Sequence, residues 1–304
     1  MPARAPDTYG LAVRVGIFAF LEIIGLIVFG TILVSVEAGS LVAAVGSTFL
    51  AAFLTNLFTA RIFERLRLRD LGLAWNEISL RHTAFGIAAG AGAALLVIVP
   101  PLVTGAARLV MAPEQPANVR SILFVAVILV FGALGEELLF RGYGFQLLLR
   151  RLGPWGTVIP SALLFAVAHL GNLNASWTGA LNTFFWGLLL GYAIVRSGDL
   201  WLATGLHYGW NLTLPLFGVN LSGFTMGVTG YRLEWSAGPL WSGGDYGVEA
   251  SVLTSLVIPL VGLYLWKAPV RTQQLALLAE PPPEEKEIAA HVATPPSDSA
   301  GHGQ

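Results

Sequence analysis

The stretch SILFVAVILVFGALGEELLFRGYGFQLLL, residues 121–149, is apolar apart from one short charged group. It is longer than the ~20 residues that a helix needs to cross a ~30 Å hydrocarbon layer. Its side chains are continuously apolar rather than alternating, which indicates a membrane helix and argues against a strand of a membrane β-barrel. The charged residues inside it, Glu136, Glu137 and Arg141, are the first candidates for a function.

Seven further apolar runs lie on either side of this one, each bounded by charge or by Gly, Pro and Asn. They cover about residues 11–35, 37–60, 83–104, 155–170, 176–196, 200–217 and 250–267. The composition agrees, since 55% of the residues are hydrophobic and 12% are charged, whereas soluble domains carry about 25% charge. We therefore predict an all-α fold, a polytopic membrane helix bundle of about eight transmembrane helices.

The basic residues provide a separate estimate of the topology, because Lys and Arg concentrate in cytoplasmic loops. With eight spans and the N-terminus inside, thirteen basic residues fall on the cytoplasmic side, and three fall on the other side, namely Arg108, Arg120 and Arg232. We expect an integral protein of the cell membrane with both termini in the cytoplasm. Short basic connections also lead us to expect a site that opens toward the cytoplasm.

The predicted organisation is a cytoplasmic tail over residues 1–10, a membrane domain over 11–271 and a disordered cytoplasmic tail over 272–304. The last segment is rich in Pro and Glu and cannot bury a core. The chain has no cysteine, which excludes thiol chemistry and cysteine-based metal sites. With 17 basic and 18 acidic residues and no uniformly basic block, nucleic acid is not an expected partner.

Charged side chains near the bilayer centre cost at least ~2.5–3.5 kcal/mol, so they pair, line a cavity or perform a function. Glu137 and Arg141 are four residues apart and share a helix face on which they can pair. Glu136 points about 100° away, and we expect it to be desolvated and to differ in character from Glu137, as acid and base roles require. A structural ion cluster is the alternative interpretation. Glu22 stands apart, and we expect a hydrogen bond to a neighbouring helix or snorkelling toward the membrane edge.

Polar residues on three different spans fall at overlapping depth. At 1.5 Å per residue from the cytoplasmic ends of their spans, Glu136 lies ~21 Å deep and His169 ~22 Å. His207 and Asn211, four residues apart on one face, lie ~12 and ~18 Å deep. We therefore predict one shared site, although each residue alone is equally compatible with a hydrogen bond between helices.

The patterns Glu136-Glu137-x-x-x-Arg141, Phe165-x-x-x-His169 and His207-x-x-x-Asn211 occur in this order on successive spans. Together with Phe185-Trp186-Gly187-Leu188-Leu189-Leu190-Gly191 and Gly198-Asp199-Leu200-Trp201, they resemble the CPBP family of CAAX-protease-like and bacteriocin-processing-like intramembrane endopeptidases, which is related to the type II CAAX prenyl endopeptidases. The resemblance covers about residues 120–215. The first three spans, the 218–249 loop and the tail lie outside it and carry no information on the substrate.

The resemblance implies a glutamate-dependent endopeptidase that cleaves a membrane-associated protein or peptide, lipidated or not, in the lipid bilayer. Glu136 would be the general base that takes a proton from water, and His169 would help to hold that water. His207 and Asn211 would donate hydrogen bonds to the oxyanion. The supporting residues would be Glu137, Arg141 and Phe165.

No cofactor is favoured, and zinc is the alternative. Glu136, His169 and His207 would supply the three protein ligands usual at a catalytic zinc site, but no His-Glu-x-x-His pattern is present. Two other functions stay open. One is a non-catalytic membrane-binding or chaperone-like protein, and the other is a proton-coupled transporter or channel in which Glu22, Glu136, Glu137 and the histidines form a relay. The transporter is disfavoured because the sequence shows no internal repeat.

Peptide hydrolysis inside a bilayer requires water in a place that excludes it, so we expect the helices to enclose a polar cavity. The 218–249 loop, which is rich in Gly, Trp and Tyr, is expected to cap the face away from the cytoplasm.

Overall fold

The computed structural model describes residues 10–279, and within them the chain forms a helix bundle. Eight helices of 16 residues or more are present in this range, together with one four-residue α-helical turn and four short 3-10 helices. The α-helices are α1 (Leu11–Ser35), α2 (Ser40–Glu64), α3 (Glu77–Thr104), α4 (Val119–Arg141), α5 (Tyr143–His169), α6 (Trp177–Ser197), α7 (Trp201–Leu216), the turn α8 (Pro239–Ser242) and α9 (Val252–Lys267). The prediction of an all-α membrane bundle with eight main helices is confirmed.

Among the described residues, five helical stretches are long and apolar enough to cross a membrane. They are α1, α2, α3, α6 and the joined stretch over 119–169 that holds α4 and α5. α1 buries only Arg14, Phe18 and Glu22 and turns large apolar side chains outward, as a helix in contact with lipid does. α7 and α9 have 16 residues each, fewer than the ~20 of a perpendicular span, so their crossing stays a prediction.

The predicted run 121–149 is not one helix. α4 ends at Arg141, and Gly142 separates it from α5 with φ −73° and ψ −140°. α5 in turn contains a non-helical residue, Gly153, with φ +70° and ψ −179°. The depth of Glu136 counted along one straight helix from Arg150 is therefore wrong. A break inside an apolar run leaves the hydrophobicity unchanged, so the composition of the run could not show it.

Asn56 of α2 occupies the break between α4 and α5. Its Nδ2 donates to the carbonyl oxygen of Leu138 at 3.1 Å, and its Oδ1 accepts from the amide of Tyr143 at 2.6 Å. A Cβ atom at Gly142 would lie 2.1 Å from Oδ1 of Asn56, so no larger residue fits there. Broken membrane helices need such partners, because no water is available in the hydrocarbon layer to satisfy the freed backbone groups.

α3 and α7 approach each other through glycines. A Cβ atom at Gly90 of α3 would lie 2.0 Å from the carbonyl oxygen of Leu206, and one at Gly209 of α7 would lie 2.5 Å from that of Ile87. Small residues allow membrane helices to pack this closely. One face of α7 is thereby fixed on α3, and Asn211, two residues beyond Gly209, points about 200° away from that face.

Two short strands lie in the connections and were not predicted. β1 (Ala107–Met111) and β2 (Tyr231–Trp235) pair antiparallel, with Ala107 opposite Trp235 and Met111 opposite Tyr231. The pair joins the α3–α4 connection to the connection between α7 and α9. We refer to this second connection, residues 217–251, as the cap.

The expected disorder from residue 272 onward is wrong for residues 272–279. The amide of Gln273 donates to the carbonyl oxygen of Ser197 at 2.7 Å, and the side chains of Leu275 and Leu277 are buried in the bundle. Burial of these two leucines favours an ordered segment, although the tail as a whole has a Pro-rich composition that is typical of disorder. Residues 280–304, and all but the last residue of the predicted 1–10 tail, lie outside the described residues.

Candidate active site

A cavity of about 310 Å³ lies between α1, α2, α4, α5, α6, α7 and the cap. The four residues predicted to be catalytic all line it, namely Glu136, His169, His207 and Asn211. Phe165 also lines it. Glu137 and Arg141 have no exposed side-chain surface and lie behind this wall. The three polar patterns on α4, α5 and α7 therefore meet at one place.

Glu136 is the residue on which both histidines converge. Its Oε2 lies 3.7 Å from Nε2 of His169 and 3.7 Å from Nε2 of His207. These distances exceed a direct hydrogen bond and leave Oε2 without a hydrogen-bond partner among residues 10–279. Two imidazole nitrogens and one carboxylate oxygen are thus arranged around a common point at the cavity wall.

The other ring nitrogen of each histidine is held by an acceptor. Nδ1 of His169 lies 2.8 Å from the carbonyl oxygen of Phe165, and Nδ1 of His207 lies 3.0 Å from Oε1 of Glu137. Because a carbonyl or carboxylate oxygen only accepts, each Nδ1 carries the proton. In neutral His169 the Nε2 atom is then an acceptor that faces Glu136.

Arg141 is enclosed by acceptors and aromatic rings. Its Nη1 lies 3.3 Å from Oε1 of Glu137, as the spacing of four residues predicts, and its Nη2 donates to the carbonyl oxygen of Gly187 at 3.3 Å. Its guanidinium carbon lies 4.5 Å from the ring centroid of Phe165, a favourable cation–π distance. The carboxylate and the ring together stabilise a cation that is fully out of contact with solvent.

Phe165 connects the charged pair to the histidines. Its ring centroid lies 4.4 Å from that of His169 and 6.2 Å from that of His207. The end of α4 is tied to the same helix by Ser161, whose hydroxyl donates to the carbonyl oxygen of Phe140 at 3.1 Å. These contacts bring the end of α4 beside α5. The break at Gly142 interrupts the straight helix assumed for Glu136, whereas residues 154–169, along which the depth of His169 was counted, lie beyond the non-helical Gly153.

The two carboxylates differ in their exposure. The side chain of Glu137 has no exposed surface, whereas 29% of the Glu136 side chain is exposed. The reason is the pairing with Arg141, which turns Glu137 into the bundle and leaves Glu136 to face the cavity. The Oε2 atom of Glu136 is nevertheless buried and has no hydrogen-bond partner among residues 10–279, which agrees with the expected desolvation and with a different environment for the two residues.

Two polar residues of the cavity wall, Ser222 and Glu249, come from the cap and were not predicted from the sequence. Glu249 accepts from Nε1 of Trp210 at 3.3 Å, from the hydroxyl of Ser222 at 3.1 Å and from the backbone amide of Ser222. Burial raises the pKa of the Glu249 carboxyl above its usual range, and the hydrogen bonds from Ser222 oppose that shift. The only sequence signal was an acidic residue directly before the apolar run 250–267, which is equally typical of a solvated loop end.

Glu22 does not belong to this cavity. It is 3% exposed, and neither of its carboxyl oxygens has a hydrogen-bond partner in the part of the chain that is described. Neither the expected hydrogen bond to another helix nor snorkelling toward the membrane edge is observed.

The zinc alternative, with Glu136, His169 and His207 as ligands, stays a prediction. Over residues 10–279, no group of three or more His, Cys, Asp or Glu side chains is arranged to hold a metal ion.

Comparison with known proteins identifies the same part of the chain. A family model described as Rce1-like, type II CAAX prenyl endopeptidase Rce1-like, matches residues 118–213. The match contains every predicted site residue from Glu136 to Asn211 and excludes the cap. No curated protein matches the chain.

The matched family is a family of proteases, so the match supports a hydrolase and suggests intramembrane CAAX protease activity. Together with the membrane-length helices, it supports an integral membrane protein whose partners are the lipid bilayer and a protein or peptide substrate.

Proposed function

We propose that this protein is an intramembrane endopeptidase in which Glu136 is the general base that activates water. The observation that carries the proposal is the convergence of Nε2 of His169 and Nε2 of His207, each 3.7 Å from Oε2 of Glu136. A general base must lie within reach of the proton that it abstracts. A water molecule bound between these atoms would lie in the same cavity as Asn211.

In the first step, the water oxygen attacks the carbonyl carbon of the scissile peptide while the Glu136 carboxylate takes a proton from the water. Nε2 of neutral His169 accepts a hydrogen bond from the other O–H of the water, which keeps that hydrogen, and so orients the attacking lone pair. The C–N bond then breaks, and the proton held by Glu136 passes to the leaving amine. The products are a carboxylic acid and an amine, so no oxidant or other co-reactant is required.

The oxyanion that forms during attack would be stabilised by hydrogen bonds from His207 and Asn211. One such donor is worth ~3 kcal/mol of transition-state stabilisation. Because Nδ1 of His207 already donates to Glu137, Nε2 can donate only when the imidazole is doubly protonated. Glu137, Arg141 and Phe165 would be positioning residues. Glu137 and Phe165 contact the imidazole rings of His207 and His169, and Arg141 pairs with Glu137.

Many of the side chains that line the cavity are apolar, which suits a membrane-associated substrate. They include Leu26, Leu41, Val45 and Leu129. We extend the proposal to a substrate with or without a prenyl chain, to a site that opens toward the cytoplasm, and to a cell-membrane location with both termini in the cytoplasm. A membrane-impermeant thiol reagent applied to intact cells should label a cysteine at Gly238 and not one at Glu77, and the reverse pattern would invert this orientation.

The two alternative functions differ from the proposal in what they predict for Glu22 and for cleavage. A proton relay through the bundle would need Glu22 to communicate with the other ionisable groups, but Glu22 is not among the residues that line the cavity. A non-catalytic binding protein would retain the cavity and cleave nothing. A cleavage assay therefore separates both alternatives from the proposal.

The direct test uses purified protein in lipid vesicles with quenched fluorescent peptides, prenylated and unprenylated at the C-terminus. In cells, peptide fragments that are present in wild-type membranes and absent from those of a Glu136→Gln strain would identify natural substrates. Glu136→Gln should lower the cleavage rate by at least about 100-fold, because the amide keeps the shape of the side chain but cannot take a proton. Glu22→Gln is the matched control, a buried carboxyl outside the cavity, and should cleave at the wild-type rate.

A further inference from the structure

The cap supplies a large part of the substrate cavity although it lies outside the matched segment 118–213. Five of its residues line the cavity, namely Leu221, Ser222, Phe224, Met226 and Glu249. A loop that forms the wall of a binding cavity must be held in place, since loops otherwise have few buried contacts and open locally.

Glu249 is anchored independently of the rest of the cap. Its carbonyl oxygen accepts from Nδ2 of Asn182 on α6 at 2.8 Å, and the same amide donates to the carbonyl oxygen of Ser251 at 2.9 Å. The side chain of Asn182 is in turn held by the hydroxyl of Ser255 on α9 at 2.7 Å. The backbone of Glu249 is therefore fixed to two helices at the base of the cap.

The carboxylate of Glu249 connects this fixed point to the far end of the cap. It accepts hydrogen bonds from the backbone amide of Ser222, from the hydroxyl of Ser222 and from the indole N–H of Trp210. Trp210 precedes Asn211 and follows His207 by three residues on α7. One side chain thus joins the cap to the helix that carries two of the proposed catalytic residues.

The turn that Glu249 holds has an unfavourable backbone conformation. Ser222 has φ +49° and Gly223 has φ +85°, and the left-handed region disfavours a residue with a side chain such as Ser222. Two hydrogen bonds between the backbones of Leu221 and Phe224, of 2.9 and 2.8 Å, close the turn. The bond from the Ser222 amide to Glu249 stabilises this conformation from outside the turn.

We propose that Glu249 is a positioning residue of the substrate cavity, which holds the turn over residues 221–224 against Trp210 and so fixes the wall formed by Leu221, Phe224 and Met226. Its effect on catalysis rests on the proposed function, because it acts on the binding of the substrate that the site cleaves. Its effect on the cap itself does not depend on any activity.

The activity-independent test uses the absence of cysteine from the chain. A single cysteine at Met226, a residue 9% exposed, should react slowly with a small maleimide in detergent-solubilised protein. Glu249→Ala should raise that labelling rate by about 10-fold or more, because local opening of the cap becomes more frequent. Asp245→Ala is the matched control, an exposed acidic residue of the same cap, and should leave the rate unchanged. An unchanged rate in Glu249→Ala would overturn the proposal.

The second readout is the division of the effect between KM and kcat for a cleaved peptide. Glu249→Ala should raise KM by about 10-fold and change kcat by less than about 3-fold, since it alters binding rather than the chemical step. Glu249→Gln should restore most of the affinity, because its amide oxygen still accepts from the Ser222 amide. A loss confined to kcat would overturn the positioning role. If the wild-type protein cleaves no peptide, the proposed function fails, and the labelling rate still decides the role of Glu249.

Discussion

Oε1 of Glu137 is shared between His207 and Arg141, with Nδ1 of His207 at 3.0 Å and Nη1 of Arg141 at 3.3 Å. A single oxygen therefore links the end of α4 to the middle of α7. The proposed oxyanion donor His207 is oriented by a residue that never faces the cavity. Buried groups of this kind are stable only as a complete set, since removal of one partner leaves the other without compensation.

Arg141→Ala should strongly destabilise the protein. The change leaves Glu137 as a buried carboxylate without its cation, a loss of about 3–5 kcal/mol. Arg81→Ala is the matched control, because it removes an exposed ion pair with Glu77 on α3, worth about 0.5 kcal/mol or less. Thermal unfolding in detergent compares the two variants, and equal melting temperatures would contradict the role given to Arg141.

Asn56→Leu should destabilise the break between α4 and α5. It leaves the Tyr143 amide and the Leu138 carbonyl without their partner, and each unsatisfied group costs about 1–3 kcal/mol. Thr59→Val, one turn further along α2, loses only a bond of 2.7 Å to Thr55 inside the same helix and should cost about 1 kcal/mol. The same unfolding measurement decides, and a milder effect of Asn56→Leu than of Thr59→Val would show that Asn56 does not hold the break.

Gly90→Ala should separate α3 from α7 and impair cleavage. The new Cβ would lie 2.0 Å from the carbonyl oxygen of Leu206, directly before His207, and overpacking of this kind costs about 1–3 kcal/mol. At Gly92, two residues along the same helix, nothing lies within 4 Å of an added Cβ. Gly92→Ala should therefore leave the cleavage rate unchanged and should leave the melting temperature unchanged or raise it. Similar losses in the two variants would argue against close packing of these helices.

Cleavage should survive the removal of metal ions. The proposed steps use only carboxylate, imidazole and amide groups, so prolonged treatment with a strong chelator should leave kcat/KM unchanged. The zinc content of the purified protein, measured by mass spectrometry, is the parallel readout. Loss of activity on chelation with recovery on addition of zinc would favour the alternative in which Glu136, His169 and His207 are ligands.

The sequence predicts the parts of this structure that depend on local spacing. Continuous apolar runs predict the eight main helices, because each helix needs its own length of apolar chain. The spacing of four residues predicts that Glu137 and Arg141 share a helix face and lie close together, as the structure shows. The polar patterns on α4, α5 and α7 predict a common site, and their side chains line one cavity.

The features that were missed depend on contacts between distant residues. The break at Gly142 is stabilised by Asn56, which lies on another helix, so nothing within the run 121–149 shows it. The cap residue Glu249 lines the cavity and accepts a hydrogen bond from Trp210 of α7, a residue far away along the chain, so the sequence around position 249 does not show this role. The sequence also did not predict which of Glu136 and Glu137 faces the cavity, since hydrophobicity does not distinguish the two carboxylates.

The measurement that tests the central claim most directly is the single-turnover cleavage rate of Glu136→Gln with a peptide that the wild-type protein cleaves. General-base catalysis contributes about 10²- to 10⁴-fold, so we expect the rate to fall by at least about 100-fold while the melting temperature stays close to that of the wild type. Glu22→Gln, assayed beside it, should cleave normally. A folded Glu136→Gln protein that cleaves at the wild-type rate would contradict the assignment of Glu136 as the base.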